Sequence, residues 1–118
     1  MPRRLVFAVL FLSFLAACNG DSPAPAPSPT GTRVSIVPGS STLTTTAYSP
    51  NPMTINAGGT VTWVNDDAVA HTSTGNGGMW DSGTMQPGAR FSRTFPTAGS
   101  FPYLCTIHPN MVGTVNVQ

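Results

Sequence analysis

The sequence from Arg33 to Gln118 predicts an all-β sandwich. Short segments alternate apolar and polar residues, turn signals separate them at roughly 8–12-residue spacing, and no stretch holds a helical period over a useful length. These 86 residues make one small domain with a modest core.

Taken in order, Thr42–Tyr48 and Met53–Asn56 read as short strands, separated by the turn Ser49-Pro-Asn-Pro52. Gly58-Gly59 is a turn, and Thr60-Val-Thr-Trp-Val-Asn65 alternates between two faces as a half-buried strand does. Asn65-Asp66-Asp67 reads as a solvated turn, Val69–Thr74 as another strand, and Gly75-Asn-Gly-Gly78 as a loop. After the turn Pro87-Gly88, Arg90–Phe95 puts Phe91 and Phe95 towards the core. Phe101–Leu104 and Gly113–Val117 complete the strands; Pro102, which cannot donate to a ladder, is expected at an edge or a strand start. Trp63 and Trp80 are expected in core and rim, and Met79 and Met85 in packing or at the surface.

The first 32 residues lie outside this pattern. Arg3 and Arg4 precede an apolar run from Leu5 to Leu15, too short to span a bilayer and proportioned like a signal peptide. The run ends in Leu15-Ala16-Ala17-Cys18, which resembles a bacterial lipobox. The expected division is a lipoprotein signal peptide over 1–17, then a lipidated Cys18 and a Pro/Ala-rich tether over 18–32. A polyproline-II tether of that length reaches roughly 40 Å at about 3.1 Å per residue. The protein is therefore expected on the periplasmic side of a bacterial membrane, held by its lipid.

Without Arg3 and Arg4, Arg33, Arg90 and Arg93 face Asp21, Asp66, Asp67 and Asp81. No basic stripe exists, which excludes nucleic acid as the expected partner. So few charges also give little long-range steering, so partners are met through apolar or polar surface.

Cysteine use points to chemistry. The chain has two cysteines, and a lipidated Cys18 leaves Cys105 alone in an oxidising compartment, where no internal disulfide can form. Cys105 begins the run Cys105-Thr-Ile-His108-Pro-Asn-Met111, which puts a thiolate, an imidazole and a thioether on one short loop. Two soft ligands and a borderline one select copper over magnesium, calcium or manganese. A trigonal His2Cys site with a weak axial Met needs one more histidine, and His71 is the one other in the chain. His71 can reach the loop because a sandwich gathers distant loops at one end.

The stretch from Thr60 to Gln118 resembles the cupredoxins, the small blue copper proteins, and among them the amicyanins and plastocyanins. Val61-Thr-Trp-Val-Asn65 before His71, Pro87-Gly88 before Phe91 and Phe95, and Gly99-Ser-Phe-Pro-Tyr103 before the ligand loop carry the resemblance. Gly113-Thr-Val-Asn-Val117 follows the loop, whose shortness is amicyanin-like. The resemblance implies a Greek-key β-sandwich of about seven to eight strands. It makes His71, Cys105 and His108 the strong equatorial copper ligands and Met111 the weak axial one. Many cupredoxins carry Asn directly after the first His, tying the ligand loops together; Thr72 stands here, and its hydroxyl can still make a tie. Amicyanins carry Pro two residues after the Cys; Ile107 stands here, and its N–H is expected to point at the Cys105 sulfur.

The function implied is one-electron transfer between Cu(I) and Cu(II), with one type 1 copper and no enzymatic activity. Redox partners, a dehydrogenase, cytochrome or reductase, would dock transiently on a monomer near His108. The surroundings of that ring would include Pro109, Asn110 and the Gly75–Trp80 loop. Copper storage or delivery is the alternative. A Cys105 nucleophile with His108 as base is disfavoured, because no orienting carboxylate or oxyanion motif accompanies them.

Overall fold

A computed structural model describes residues 32–118; the expected signal segment and the tether through residue 31 lie outside the described residues. Eight strands follow one another: β1 (Arg33–Ile36), β2 (Tyr48–Ser49), β3 (Met53–Ile55), β4 (Gly59–Asn65), β5 (Thr74–Gly75), β6 (Arg90–Phe95), β7 (Gly99–Leu104) and β8 (Val112–Val117). They form two four-stranded sheets, ordered β2-β1-β4-β6 and β3-β8-β7-β5. The expected all-β sandwich of seven to eight strands is therefore the fold.

Most neighbours are antiparallel, but β1 runs parallel to β4, from Arg33 opposite Thr62 to Ile36 opposite Asn65, and β3 runs parallel to β8. On the outer face of the first sheet, Thr60 meets the Thr94 hydroxyl and Thr62 the Ser92 hydroxyl, both at 2.8 Å. Those pairs follow from the β4–β6 register and leave Val61 and Trp63 pointing inward. β8 alternates without a break, with Gly113, Val115 and Val117 buried.

Aromatic rings fill the space between the sheets. Trp63 is fully buried, with ring centroids of Trp80, Phe91 and Tyr103 at 5.8, 5.9 and 5.3 Å. Tyr48 meets Tyr103 edge to face at 4.7 Å, and Phe95 packs against Trp80 at 5.3 Å. Trp80 is core rather than rim, 5% exposed, with its indole N–H donating to Ser73 Oγ at 3.0 Å. Met85 is buried and Met79 exposed. Two glycines allow this packing: a Cβ on Gly113 would overlap the Tyr103 ring, and one on Gly75 would overlap the Trp80 indole.

Three expectations about elements are corrected. Thr42 ends a 3-10 turn (Ser40–Thr42) and the chain is irregular up to Tyr48, because the exposed Thr44–Thr46 run meets β8 through a single bond, Val112 N–H to Thr44 O at 3.2 Å, and forms no ladder. Val69–Thr74 is a loop up to Thr74, held by Asn65, whose amide donates to the carbonyls of Val69 at 2.8 Å and Met85 at 2.9 Å. The four-residue β1 was not among the expected strands; its alternation is too short to stand out from the tether before it. Pro102 behaves as expected, because β5 pairs only with Tyr103 and Leu104 and leaves β7 open on that side at Pro102. Among the described residues no helix is long and apolar enough to cross a membrane.

Candidate metal centre

His71 enters the centre from the chain between β4 and β5. A single antiparallel bridge fixes its backbone, His71 N–H to Met85 O at 3.1 Å and Met85 N–H to His71 O at 2.8 Å. Cys105 follows directly on β7, and the loop to β8 closes tightly: Met111 N–H donates to His108 O at 2.9 Å, and Cys105 N–H to Met111 O at 3.1 Å. This closed loop is what the C-x-x-H-x-x-M spacing folds into.

Side chains separated by 34 residues converge there. His71 Nδ1 lies 3.8 Å from Cys105 Sγ and 3.2 Å from His108 Nδ1. One ligand atom from each of the three residues falls within 4.8 Å of the others. His71 and Cys105 are fully buried and His108 is half-buried. Met111, the fourth expected residue, is fully buried at the end of the same loop.

These residues fit a copper ion. Imidazole nitrogens bound to a borderline divalent ion lie about 2.0–2.1 Å from it, which sets two of them roughly 3.3 Å apart in a near-tetrahedral arrangement. The Nδ1 pair meets that spacing. His71 Nε2 faces a carboxylate, which can only accept, so Nε2 carries the proton and Nδ1 offers a lone pair inward. The thiolate and the two imidazoles form a donor set suited to copper.

The sulfur sits in a polarising cradle. Cys105 Sγ accepts the backbone N–H of Thr72 at 3.3 Å and of His108 at 3.4 Å. The expected donor, Ile107, is corrected: the chain reaches the sulfur one residue later, and the Ile107 side chain stays 46% exposed. Thr72 does make the expected tie, its hydroxyl accepting Thr106 N–H at 2.9 Å across the two ligand loops. Beside it, Tyr48 O–H donates to Thr72 O at 2.7 Å, and burial together with the nearby Cys105 charge pushes the Tyr48 phenol above its ordinary value.

The reading of Asp66 and Asp67 as a solvated turn is half corrected. Asp66 is exposed and pairs with Arg33 at 2.6 Å. Asp67 is buried, with Oδ2 2.7 Å from His71 Nε2. The His71 hydrogen bond first, and the Gly39 N–H next, hold its carboxyl well below the usual carboxylate range. Ser40 joins the same group, its hydroxyl 3.1 Å from His71 Nε2. Sequence reasoning missed both residues. An acid four positions before a ligand histidine was the available signal for Asp67, whereas nothing in the sequence marks Ser40.

Comparison with known proteins agrees with this geometry. Residues 37–118 match the family model described as copper binding proteins, plastocyanin/azurin family. A plastocyanin of Scenedesmus fuscus is 34% identical over 84 residues, 60% of this chain and 86% of the relative. An amicyanin of Paracoccus versutus is 36% identical over 76 residues, 60% of this chain but only 58% of the relative's length. Among solved structures, a purple cupredoxin from Nitrosopumilus maritimus superposes with a TM-score of 0.67 at 34% identity, covering 73% of this chain and 98% of that one. The chain belongs to the plastocyanin/azurin family of copper-binding electron-transfer proteins, with one copper ion as its cofactor.

Proposed function

We propose that this protein carries single electrons between redox partners outside the cytoplasm, with His71, Cys105 and His108 as the strong copper ligands and Met111 as the weak axial one. The observation that carries the reading is the convergence of two imidazole nitrogens and a buried thiolate sulfur within 4.8 Å. Bound copper supplies the one-electron couple; the residues supply everything else.

Two backbone N–H groups on Cys105 Sγ stabilise thiolate charge. The Met85 bridge on one side and the Met111 closure on the other hold the donors in place, so little has to move when the charge changes. His108 alone of the three reaches the surface, so electrons enter and leave at its ring. Exposed Ile107, Pro109 and Asn110 flank it in sequence and offer a weakly charged face for brief docking. The buried carboxylate beside the site faces His71, not the Cys105–His108 pair, which supports electron carriage over a Cys105 nucleophile.

The N-terminal residues complete the proposal. Cleavage before Cys18 and its lipidation would anchor a monomeric domain to the periplasmic face of a bacterial membrane on a Pro/Ala tether. The partner class is a dehydrogenase, cytochrome or reductase; the similarity to an amicyanin supports a redox protein as partner.

The test is the optical and EPR spectrum of the domain from Arg33 onwards loaded with Cu(II). An intense thiolate-to-copper band with narrow copper hyperfine splitting, both lost in Cys105→Ala, is the expected result. A pale tetragonal signal with ready transfer of copper to an acceptor would replace electron carriage with copper handling.

A further inference from the structure

Asp67 is the one buried carboxylate among the described residues, since Asp66 and Asp81 are exposed. Its oxygens are fully engaged. Oδ2 accepts from His71 Nε2 at 2.7 Å and from the Ser40 hydroxyl at 3.2 Å; Oδ1 accepts N–H groups of Gly39 at 3.0 Å and Ala68 at 2.8 Å. Its own N–H donates to Asn65 Oδ1 at 3.0 Å, so the carboxylate is aimed from a fixed turn.

What it lacks is a cationic side chain. Among the described residues Arg33 is taken by Asp66, Arg90 is exposed on β6 and forms no ion pair, Arg93 lies over the Trp80 and Phe95 rings, and His71 is the one ionisable partner of Asp67. A buried anion without a counter-charge is costly. A metal ion held at His71 Nδ1 would supply the balancing positive charge through the ring. A ligand histidine whose second nitrogen donates to a carboxylate is fixed in tautomer and ring orientation and made more basic.

We propose that Asp67 is a positioning residue of the copper centre: it takes the Nε2–H of His71, presents Nδ1 to the metal, and by its buried charge favours Cu(II) over Cu(I). The inference rests on the electron-carrier reading. It assigns this chain a lower reduction potential than a neutral acceptor at the same place would give. Ser40 moderates the effect, because its hydroxyl shares Oδ2.

Two variants of the full chain, copper-loaded and titrated spectroelectrochemically beside the parent, test this. Asp67→Asn keeps an acceptor for Nε2–H and removes the charge. The expected result is an unchanged blue band with the Cu(I)/Cu(II) equilibrium shifted roughly tenfold or more towards Cu(I), an upward move of about 59 mV per tenfold. Ser40→Ala leaves more of the charge to His71, and its midpoint is expected to move down. A role confined to bracing the turn would not give opposite signs. If Asp67→Asn does not fold, the Ser40→Ala midpoint decides, and a null or upward shift there overturns the inference. So does an Asp67→Asn midpoint that stays or falls while the blue band persists. A parent without a blue band would instead remove the carrier reading itself.

Discussion

The backbone N–H of Thr72 donates to the Cys105 sulfur across 3.3 Å, so the residue directly after one candidate ligand holds the next. The Thr72 side chain completes the link by accepting Thr106 N–H at 2.9 Å. Both bonds join the chain before β5 to the chain after β7, and that junction defines the metal centre. Replacing Thr72 with Val keeps the backbone donor and strands the Thr106 N–H. We expect a loss of about 1–2 kcal/mol in urea unfolding of the metal-free protein, with thiolate ligation retained in the optical spectrum.

Met111 is buried at the end of the loop, and leucine conserves its volume. Met111→Leu is expected to fold with a stability change under about 1.5 kcal/mol and to retain the blue band. On the axial role proposed for Met111, its removal takes electron density from the oxidised metal, so the midpoint potential should rise. An unchanged midpoint would show that the thioether contributes packing only.

Gly113 lies opposite Tyr103 in the β7–β8 ladder, where a Cβ would enter the phenol ring. Gly113→Ala forces that ring out of the aromatic core. Overpacking of this kind costs about 1–3 kcal/mol. In a domain of this size each kcal/mol lowers Tm by roughly 4–8 °C, which scanning calorimetry of the metal-free protein would read.

Tyr48 and Tyr103 are the two tyrosines of the chain, and both are about 1% exposed. Burial raises both phenols above their ordinary value. The folded state therefore holds its phenolic protons where the unfolded chain, near pH 10, releases them. Their contribution to stability is complete below about pH 10 and is lost as pH rises beyond it. Phenolate absorbance is expected to stay flat through pH 10 and to appear together with unfolding. A phenolate band in the still-folded protein near pH 10 would contradict the burial argument.

Asp66 and Asp67 are adjacent and should respond very differently. The Arg33–Asp66 pair is exposed, with 55% and 35% of the two side chains accessible. Asp66→Asn is expected to change stability by less than about 1 kcal/mol, and only at low salt. Denaturant unfolding at two ionic strengths checks this, and a loss well above 1 kcal/mol would mean that the pair does more than decorate the surface.

Among the strands that came out as expected, β6 and β8 alternate along their whole length, and β4 alternates up to Trp63 before burying Val64 and Asn65 as well. The segments misread as strands are rich in β-forming residues too. Thr44–Thr46 has its carbonyls taken by single donors from Val112 and Asn51 without a paired strand, and the chain from Val69 to His71 has its carbonyls taken by the Asn65 side chain and Met85. Pairing partners, not propensity, decided those cases.

Cys105 and His108 were legible as neighbours because they share one short loop, where spacing alone implies proximity. His71 was legible by elimination, being the one other histidine. Local spacing and residue chemistry thus determined the sandwich, the candidate donors and the choice of copper. Tertiary structure decided the rest: His108 rather than Ile107 donates to the sulfur, and Asp67 leaves the surface to face His71. Each bond lies within one loop, but the loops are held in place by residues distant in sequence, Gly39 and Ser40 at Asp67 and Thr72 at Cys105. A hydrogen bond is set by ångström-scale distance and direction, which residues far apart in sequence acquire only when the sheets have packed.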